Sequence, residues 1–171
     1  MPSIGISGLA LALGLLFSFV TTEVWAEVTD QAALAKALEA AGATLEDGLE
    51  AARPVGRPIS AKFEIEKGRL QLSVYAITGE GYAEVFVSTS TGVLMATQTM
   101  TDAEDLEAAA AQKKAMEPTT TTLAAATKRA IQQNSGSRAI SVIPELQAGQ
   151  PIAKVTHLTS GGLRTVSEDL K

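Results

Sequence analysis

The stretch that decides the fold is TLEDGLEAARPVGRPISAKFEIEKGRLQLSVYAITGEGYAEVFVSTSTGVLMA, residues 44–96. Its first ten residues predict a helix, because Thr44 is a favourable N-cap and Leu45 and Leu49 fall on one face. Pro54 ends this helix. Apolar and polar residues then alternate, as they do in half-buried strands. The stretch therefore predicts one helix followed by several strands.

Short turns separate these predicted strands. Lys67 and Gly68 form the first turn, GEG at residues 79–81 the second, and STSTG at residues 88–92 the third. Four consecutive strands joined in this way form an antiparallel meander, with one face packed on a helix. The fold class that we expect is α+β.

Residues 101–121 differ in character from the stretch before them. TDAEDLEAAAAQKKAM is rich in polar helix formers, and Thr101 with Glu104 predicts a capping box. We expect an exposed connector helix, followed by a threonine-rich linker that begins at Pro118. Its acidic residues suit a helix N-terminus better than a calcium loop, which needs regular oxygen spacing.

The pattern then restarts. TLAAATKRAIQQNSG predicts a second helix, capped by Thr122, and three further strands follow. Residues 72–90 match residues 153–171 at a shift of 81, and Thr44 matches Thr122 at a shift of 78. Units of about 50 residues are marginal alone, so we expect the two to pair. The matched positions include Val74 with Val155, Thr78 with Thr159 and Gly81 with Gly162.

The quoted stretch resembles a PepSY domain, whose pattern is a Thr-Leu-capped helix, three strands, then Asp-x-x-Thr-Gly and an apolar tail. Thr91 and Gly92 match the family's Thr-Gly, and Ser88 stands where the family usually has Asp. These three residues mark the landmark turn. Residues 122–171 resemble the same domain but stop before a Thr-Gly. The resemblance implies two small helix-on-sheet units in tandem, in an extracytoplasmic protein. Such modules occur in peptidase propeptides, where inhibition has been proposed.

The amino-terminal segment IGISGLALALGLLFSFV, residues 4–20, is uncharged and apolar. With Val24 and Ala26 before a cut, it predicts a secretory signal peptide and a periplasmic or secreted protein. An uncleaved anchor is the alternative, because 17 residues lie at the short edge of what spans a bilayer. The expected organisation is a signal peptide at 1–26, an N-terminal helix at 27–43, a PepSY-like unit at 44–100, a connector helix and linker at 101–121, and a second unit at 122–171.

Composition excludes several classes of protein. The net charge is −5 and no basic run occurs, which argues against binding to nucleic acid. The absence of cysteine excludes disulfides, thiolate nucleophiles and Cys-ligated metals. In the N-terminal helix, Thr29 or Asp30 is the expected cap and Gly42 the expected left-handed end.

Candidate site residues are few. His157 is the only histidine, and we expect it on the solvated face of its strand, without a nucleophile nearby. Neither a catalytic group nor a metal site is predicted. Tyr75 and Phe86 are out of phase with the buried valines, so both are expected to face outward. They form either a cross-strand pair or a contact patch for a partner.

The sequence thus predicts a non-enzymatic binding module without a cofactor. It would bind a protein or peptide, with a peptidase as one candidate, through a sheet face or an edge strand. The alternative is a small-molecule or ion-binding accessory of a membrane sensor or reductase system, with its ligand between helix and sheet. Contact with a membrane is expected only if the N-terminal segment is retained.

Overall fold

The computed structural model describes the backbone of residues 22–171 and the side chains of residues 31–171. The predicted signal segment at residues 4–20 lies outside the described residues. The described part of the chain contains four helices and seven strands. Their bounds are α1 Thr22–Glu39, α2 Leu45–Ala52, β1 Arg57–Glu66, β2 Arg69–Thr78, β3 Gly81–Val87, β4 Leu94–Thr99, α3 Ala103–Met116, α4 Leu123–Gln133, β5 Arg138–Gln147, β6 Gln150–Thr159 and β7 Gly162–Asp169.

All seven strands form one antiparallel sheet, in the order β4-β3-β2-β1-β5-β6-β7. Within each half of the sheet, neighbouring strands are consecutive in sequence. The halves meet where β1 pairs with β5, through Ala61 with Val142 and Lys62 with Ser141. The prediction of an α+β fold is confirmed. We call α2 with β1–β4 the first half, and α4 with β5–β7 the second half.

The first face of the sheet carries the core. Val74, Val85, Val142 and Val155 are fully buried there, and α2 and α4 pack over them side by side. Both helices begin at a threonine cap: Asp47 N–H donates to Thr44 Oγ1 at 3.1 Å, and Ala125 N–H donates to Thr122 Oγ1 at 3.2 Å. Local capping and burial of one apolar stripe therefore fix both helices.

Helix α3 lies against the second, more polar face. Ser60 Oγ donates to Gln112 Oε1 at 2.7 Å, and Ala109 and Met116 are buried. Most of the remaining helix surface is exposed. The predicted cap was wrong: the N-cap is Asp102, not Thr101, because its carboxylate accepts from the N–H groups of Glu104 and Asp105.

The N-terminal helix also differs from the prediction. α1 begins at Thr22 and runs through Thr29 and Asp30, so neither of these residues caps it. Gly42 is not in the left-handed region. A Cβ at Gly42 would lie 2.5 Å from the carbonyl oxygen of Ser90, so close backbone approach explains the glycine. No helix within residues 22–171 has both the length and the apolar character needed to span a membrane.

Candidate functional site

Tyr75 and Phe86 lie on the second face, on the neighbouring strands β2 and β3. Tyr75 pairs with Glu84 and Phe86 with Ser73, so the two aromatic rings are diagonal neighbours and not a directly opposed pair. Both side chains are half-buried. The rings therefore share one surface, next to the polar side chains of β1.

Charge and burial determine the protonation states of Tyr75 and Lys62 on this surface. The Lys62 ammonium lies 5.6 Å from the centroid of the Tyr75 ring and 2.7 Å from a carboxylate oxygen of Glu64. Burial raises the pKa of Tyr75, against the opposing effect of Lys62. Burial alone would lower the pKa of Lys62, but the hydrogen bond that its ammonium donates to Glu64, together with the contribution of Tyr75, raises it. At neutral pH the surface presents a neutral phenol beside a charged lysine.

Strand β4 continues this surface to the edge of the sheet. Ala96 pairs with Phe86, and all six residues of β4 are exposed. Val93 and Met95 are 62% and 70% exposed, and residues 93–99 contain neither a charge nor a proline. Edge strands usually carry charged residues or proline, which protect them against pairing with another chain. We call Tyr75, Phe86 and residues 93–99 the β4 surface.

The opposite edge of the sheet is protected in the usual way. Strand β7 carries Arg164, Glu168 and Asp169 within its eight residues. Glu168 is buried against Arg129 of α4, with the two side chains 3.1 Å apart. Charged edges discourage strand addition. The two edges of the sheet therefore differ, and only β4 presents an uncharged strand.

The polar groups of the landmark turn form hydrogen bonds with one another. Thr91 N–H donates to Ser88 Oγ at 3.2 Å, and the Ser88 and Ser90 hydroxyls lie 3.1 Å apart. Gly92 has φ +71°, and a Cβ there would lie 3.1 Å from Cβ of Asp47. The turn thus packs against the start of α2, and Ser88 supplies the acceptor that an aspartate would supply.

The structure overturns the prediction for His157. Its side chain is fully buried on the first face, because residues two apart in a strand share a face and Val155 points into the core. Its Nδ1 lies 2.8 Å from Ser137 Oγ, and its Nε2 has no hydrogen-bond partner among the described residues. Burial, and secondarily Arg164, lowers its pKa. Within residues 31–171, no group of three or more histidine and acidic side chains is placed to hold a metal ion.

Two arginines that were not predicted as functional residues each connect one half of the molecule to backbone that precedes the other half. Arg57 and Arg138 are the first residues of β1 and β5, and each strand has a bulge two residues later, at Ile59 and at Ile140. The signal was present in the sequence. RPIS at residues 57–60 and RAIS at 138–141 repeat at the same shift of 81 as the hairpins.

Each arginine binds the backbone at the end of the helix that comes before the other half in sequence. Arg138, in the second half, binds at the end of α1, and Arg57, in the first half, binds at the end of α3. Arg138 donates to the carbonyl oxygens of Leu38 at 2.9 Å, of Ala41 at 3.0 Å and of Ala43. It lies 5.6 Å from the centroid of the Phe63 ring, and burial lowers its pKa. We call this arrangement the closed corner, because the guanidinium is enclosed by backbone.

The corresponding site of Arg57 is open. Arg57 is exposed, and it donates to the Met116 carbonyl and, at a long 3.4 Å, to the Thr119 hydroxyl. A cleft of about 410 Å³ lies beside it, between the end of α2, the start of β1 and residues 119–124. We call this cleft with Arg57 the open corner. Its apolar lining includes Leu49, Pro58, Met116 and Leu123, and its polar lining includes Glu50, Arg53, Arg57 and threonines 119–122.

A smaller cleft of about 180 Å³ separates α3 from the second face of the sheet. Lys62, Tyr75, Asp105 and Gln112 contribute polar atoms to it. It joins the β4 surface to the centre of the sheet, since Tyr75 belongs to both.

Comparison with known proteins gave no match for this chain among models of protein families, curated proteins or solved structures.

Proposed function

We propose that this chain is an exported, non-enzymatic protein-binding module built from two tandem PepSY-like units, with α3 as the helix that connects them. Equivalent hydrogen bonds support the tandem interpretation. Ala43 N–H donates to Thr89 O at 3.0 Å, and Thr121 N–H donates to Leu170 O at 3.2 Å. The donors are 78 positions apart and the acceptors 81, which are the shifts found for helices and hairpins.

The observation that carries the binding function is the uncharged edge strand β4, all six residues of which are exposed. An extended segment of a partner protein would pair with the backbone groups of β4 that no other strand within residues 22–171 uses, and Tyr75 and Phe86 would provide side-chain contact on the adjoining face. Strand addition takes affinity from main-chain hydrogen bonds and specificity from alternate side chains. An extracytoplasmic peptidase, or a peptide that it releases, is the partner class that the PepSY resemblance favours.

A second candidate function has its own supporting observation. The cleft at the open corner lies between helix and sheet, where the small-molecule alternative requires a ligand. This function would make the chain a sensor accessory in which a ligand occupies the open corner.

The edge-strand proposal is tested with three forms of the purified chain: wild type, Met95→Lys on β4, and Leu163→Lys on β7. Both positions are exposed apolar residues on the outer strands, so the lysines are matched. Binding and inhibition are measured against a panel of purified extracytoplasmic peptidases and their peptides. We expect a partner that wild type and Leu163→Lys bind and that Met95→Lys loses. Equal binding by Met95→Lys, or no binding and no inhibition with any panel member, contradicts the proposal.

A further inference from the structure

We propose that the open corner binds a carboxylate that carries an apolar substituent, either a small free acid or the C-terminal residue of a peptide. This inference rests on the second candidate function, and it concerns a site separate from the β4 surface. Its failure would therefore leave the edge-strand function standing. The argument begins from the charge of the cleft.

The polar lining of the cleft is cationic on an acidic protein. It has two arginines and one glutamate, whereas the whole chain carries −5. Arg53 pairs with Glu50 at 2.9 Å, but their side chains are 67% and 57% exposed. Exposed ion pairs contribute little to stability, so Arg53 is free to turn to a ligand. The charge of the lining favours an anion.

Arg57 has donors to spare. Its Nη2 binds the Met116 carbonyl and the Thr119 hydroxyl, and its Nε and Nη1 have no acceptor among the described residues. A guanidinium presents its N–H groups in a planar fork that matches the two oxygens of a carboxylate. Arg138, at the equivalent place in the second half, instead binds three backbone carbonyls. Both Nη atoms of Arg138 are therefore bound to backbone, although its buried Nε has no partner among the described residues, whereas Nη1 of Arg57 remains available at an exposed site.

The floor of the cleft is apolar. Leu49, Met116 and Leu123 are only 2%, 3% and 3% exposed, and all three line the cleft. A volume of about 410 Å³ lies within the range of roughly 300–1,000 Å³ that small-molecule sites occupy. An anion without an apolar part would leave this floor unfilled. The combination of an apolar floor and cationic side chains suits an apolar carboxylic acid.

The threonine-rich linker forms a preordered wall. Thr119 O–H donates to the Met116 carbonyl at 2.9 Å, Thr121 O–H donates to the Lys171 carbonyl at 3.2 Å, and Thr122 Oγ1 accepts from Ala125 N–H. The hydroxyl protons of Thr119 and Thr121 are thus used by backbone carbonyls, and the two arginines supply the charged donors of the cleft. A wall that is already ordered lowers the entropic cost of binding.

The test is a titration of the purified full chain with N-acetyl-leucine and with its neutral amide, followed by calorimetry and by melting temperature. A ligand that binds only the native state raises the melting temperature as its concentration passes Kd. We expect a rise with the acid and none with the amide. A second arm compares Ala-Ala-Leu with a free and an amidated C-terminus. Binding of the free tripeptide but not of N-acetyl-leucine identifies a peptide C-terminus as the source, and binding of both supports a free acid as well.

Variants locate the site. Arg57→Gln should weaken binding about tenfold or more, since it removes a charged hydrogen-bond donor, while Glu50→Gln should strengthen it. Arg69→Gln, an exposed arginine on the β1–β2 hairpin, is the matched control and should bind as wild type. Arg57→Gln also removes the hydrogen bond to Met116 at the end of α3. Thr120→Trp therefore provides a second test, because it blocks the cleft by bulk alone and should also abolish binding. Equal responses to acid and amide, or wild-type binding by both Arg57→Gln and Thr120→Trp, would overturn the proposal.

Discussion

Arg57 and Arg138 begin equivalent strands with nearly the same four residues, yet they are used differently. Arg138 is half-buried and joins three carbonyls at the end of α1 and in the link to α2. Arg57 is exposed and joins one carbonyl and one distant hydroxyl. A repeated local sequence thus fixes the backbone of both corners, and the neighbouring segments decide whether the arginine is structural or available.

Replacement of Arg138 should cause the largest loss of stability and is the strongest test of this difference between the two arginines. Arg138→Met should lower the free energy of unfolding by about 3 kcal/mol, because it leaves three backbone acceptors without a charged donor. Urea denaturation measures the loss. A change below about 1 kcal/mol would show that water replaces the guanidinium and that the closed corner is not structural.

The second prediction concerns the link that the closed corner holds. Gly42→Ala should cost about 2 kcal/mol, because the new methyl group would collide with the Ser90 carbonyl oxygen, 2.5 Å away, and force the backbones apart. Gly79→Ala is the control, since a Cβ there meets nothing within 4 Å. Thermal unfolding of both variants compares them; equal melting temperatures would refute the close approach.

The third prediction uses the buried histidine of the second half, whose counterpart in the first half is Ala76. The pKa of His157 is lower in the folded protein than its ordinary value of 6.5, so the unfolded chain binds the proton more readily. Stability should therefore be independent of this group above pH 6.5 and should fall as the pH drops from there through the folded pKa. Urea midpoints across this pH range for wild type and His157→Gln isolate the effect. An identical pH dependence in the two proteins would exclude the histidine as its source.

A smaller loss is expected at the open corner. Arg57→Met should cost about 1 kcal/mol, because one backbone hydrogen bond is lost at an exposed site. The same urea experiment as for Arg138→Met measures it, so the ratio of the two losses tests the comparison directly. Similar losses at both corners would mean that Arg57 is as fully committed as Arg138.

The smallest effect is expected at the landmark turn. Ser88→Asp should change the free energy of unfolding by less than about 0.5 kcal/mol, because a carboxylate can accept from Thr91 N–H as the serine oxygen does. Ser88→Ala, which removes the acceptor, is the matched variant and should be the less stable of the two. A large loss with aspartate would show that the alignment of this turn with the family pattern is wrong.

Local signals predicted much of the fold. Alternation located the strands, and Thr44 and Thr122 marked the helix starts, because capping and strand burial depend on nearest neighbours in sequence. The N-cap of α3 was predicted wrongly, because the adjacent residues Thr101 and Asp102 are both residue types that can cap a helix. It also failed at His157, where the position in the alternation was misassigned.

The sites were less predictable than the elements. The face on which Tyr75 and Phe86 lie could be predicted, because side chains alternate between the two faces of a strand and both residues directly neighbour buried valines. The open corner could not be foreseen, because the cleft depends on where residues 119–122 cross the end of α2. The repeated R-x-I-S motif was readable, but its function depends on helix ends 95 or more positions away from Arg138 and 59 from Arg57.

The narrow join between β1 and β5 has a consequence for the order of folding. Two residue pairs make this join, whereas nine pairs hold β1 to β2. The hairpins form between residues close in sequence, while Ala61 meets Val142 only after a long loop has closed, which is entropically slower. Each half should therefore gain its hairpins early, and the central join, with the arginines that cross it, should be completed last.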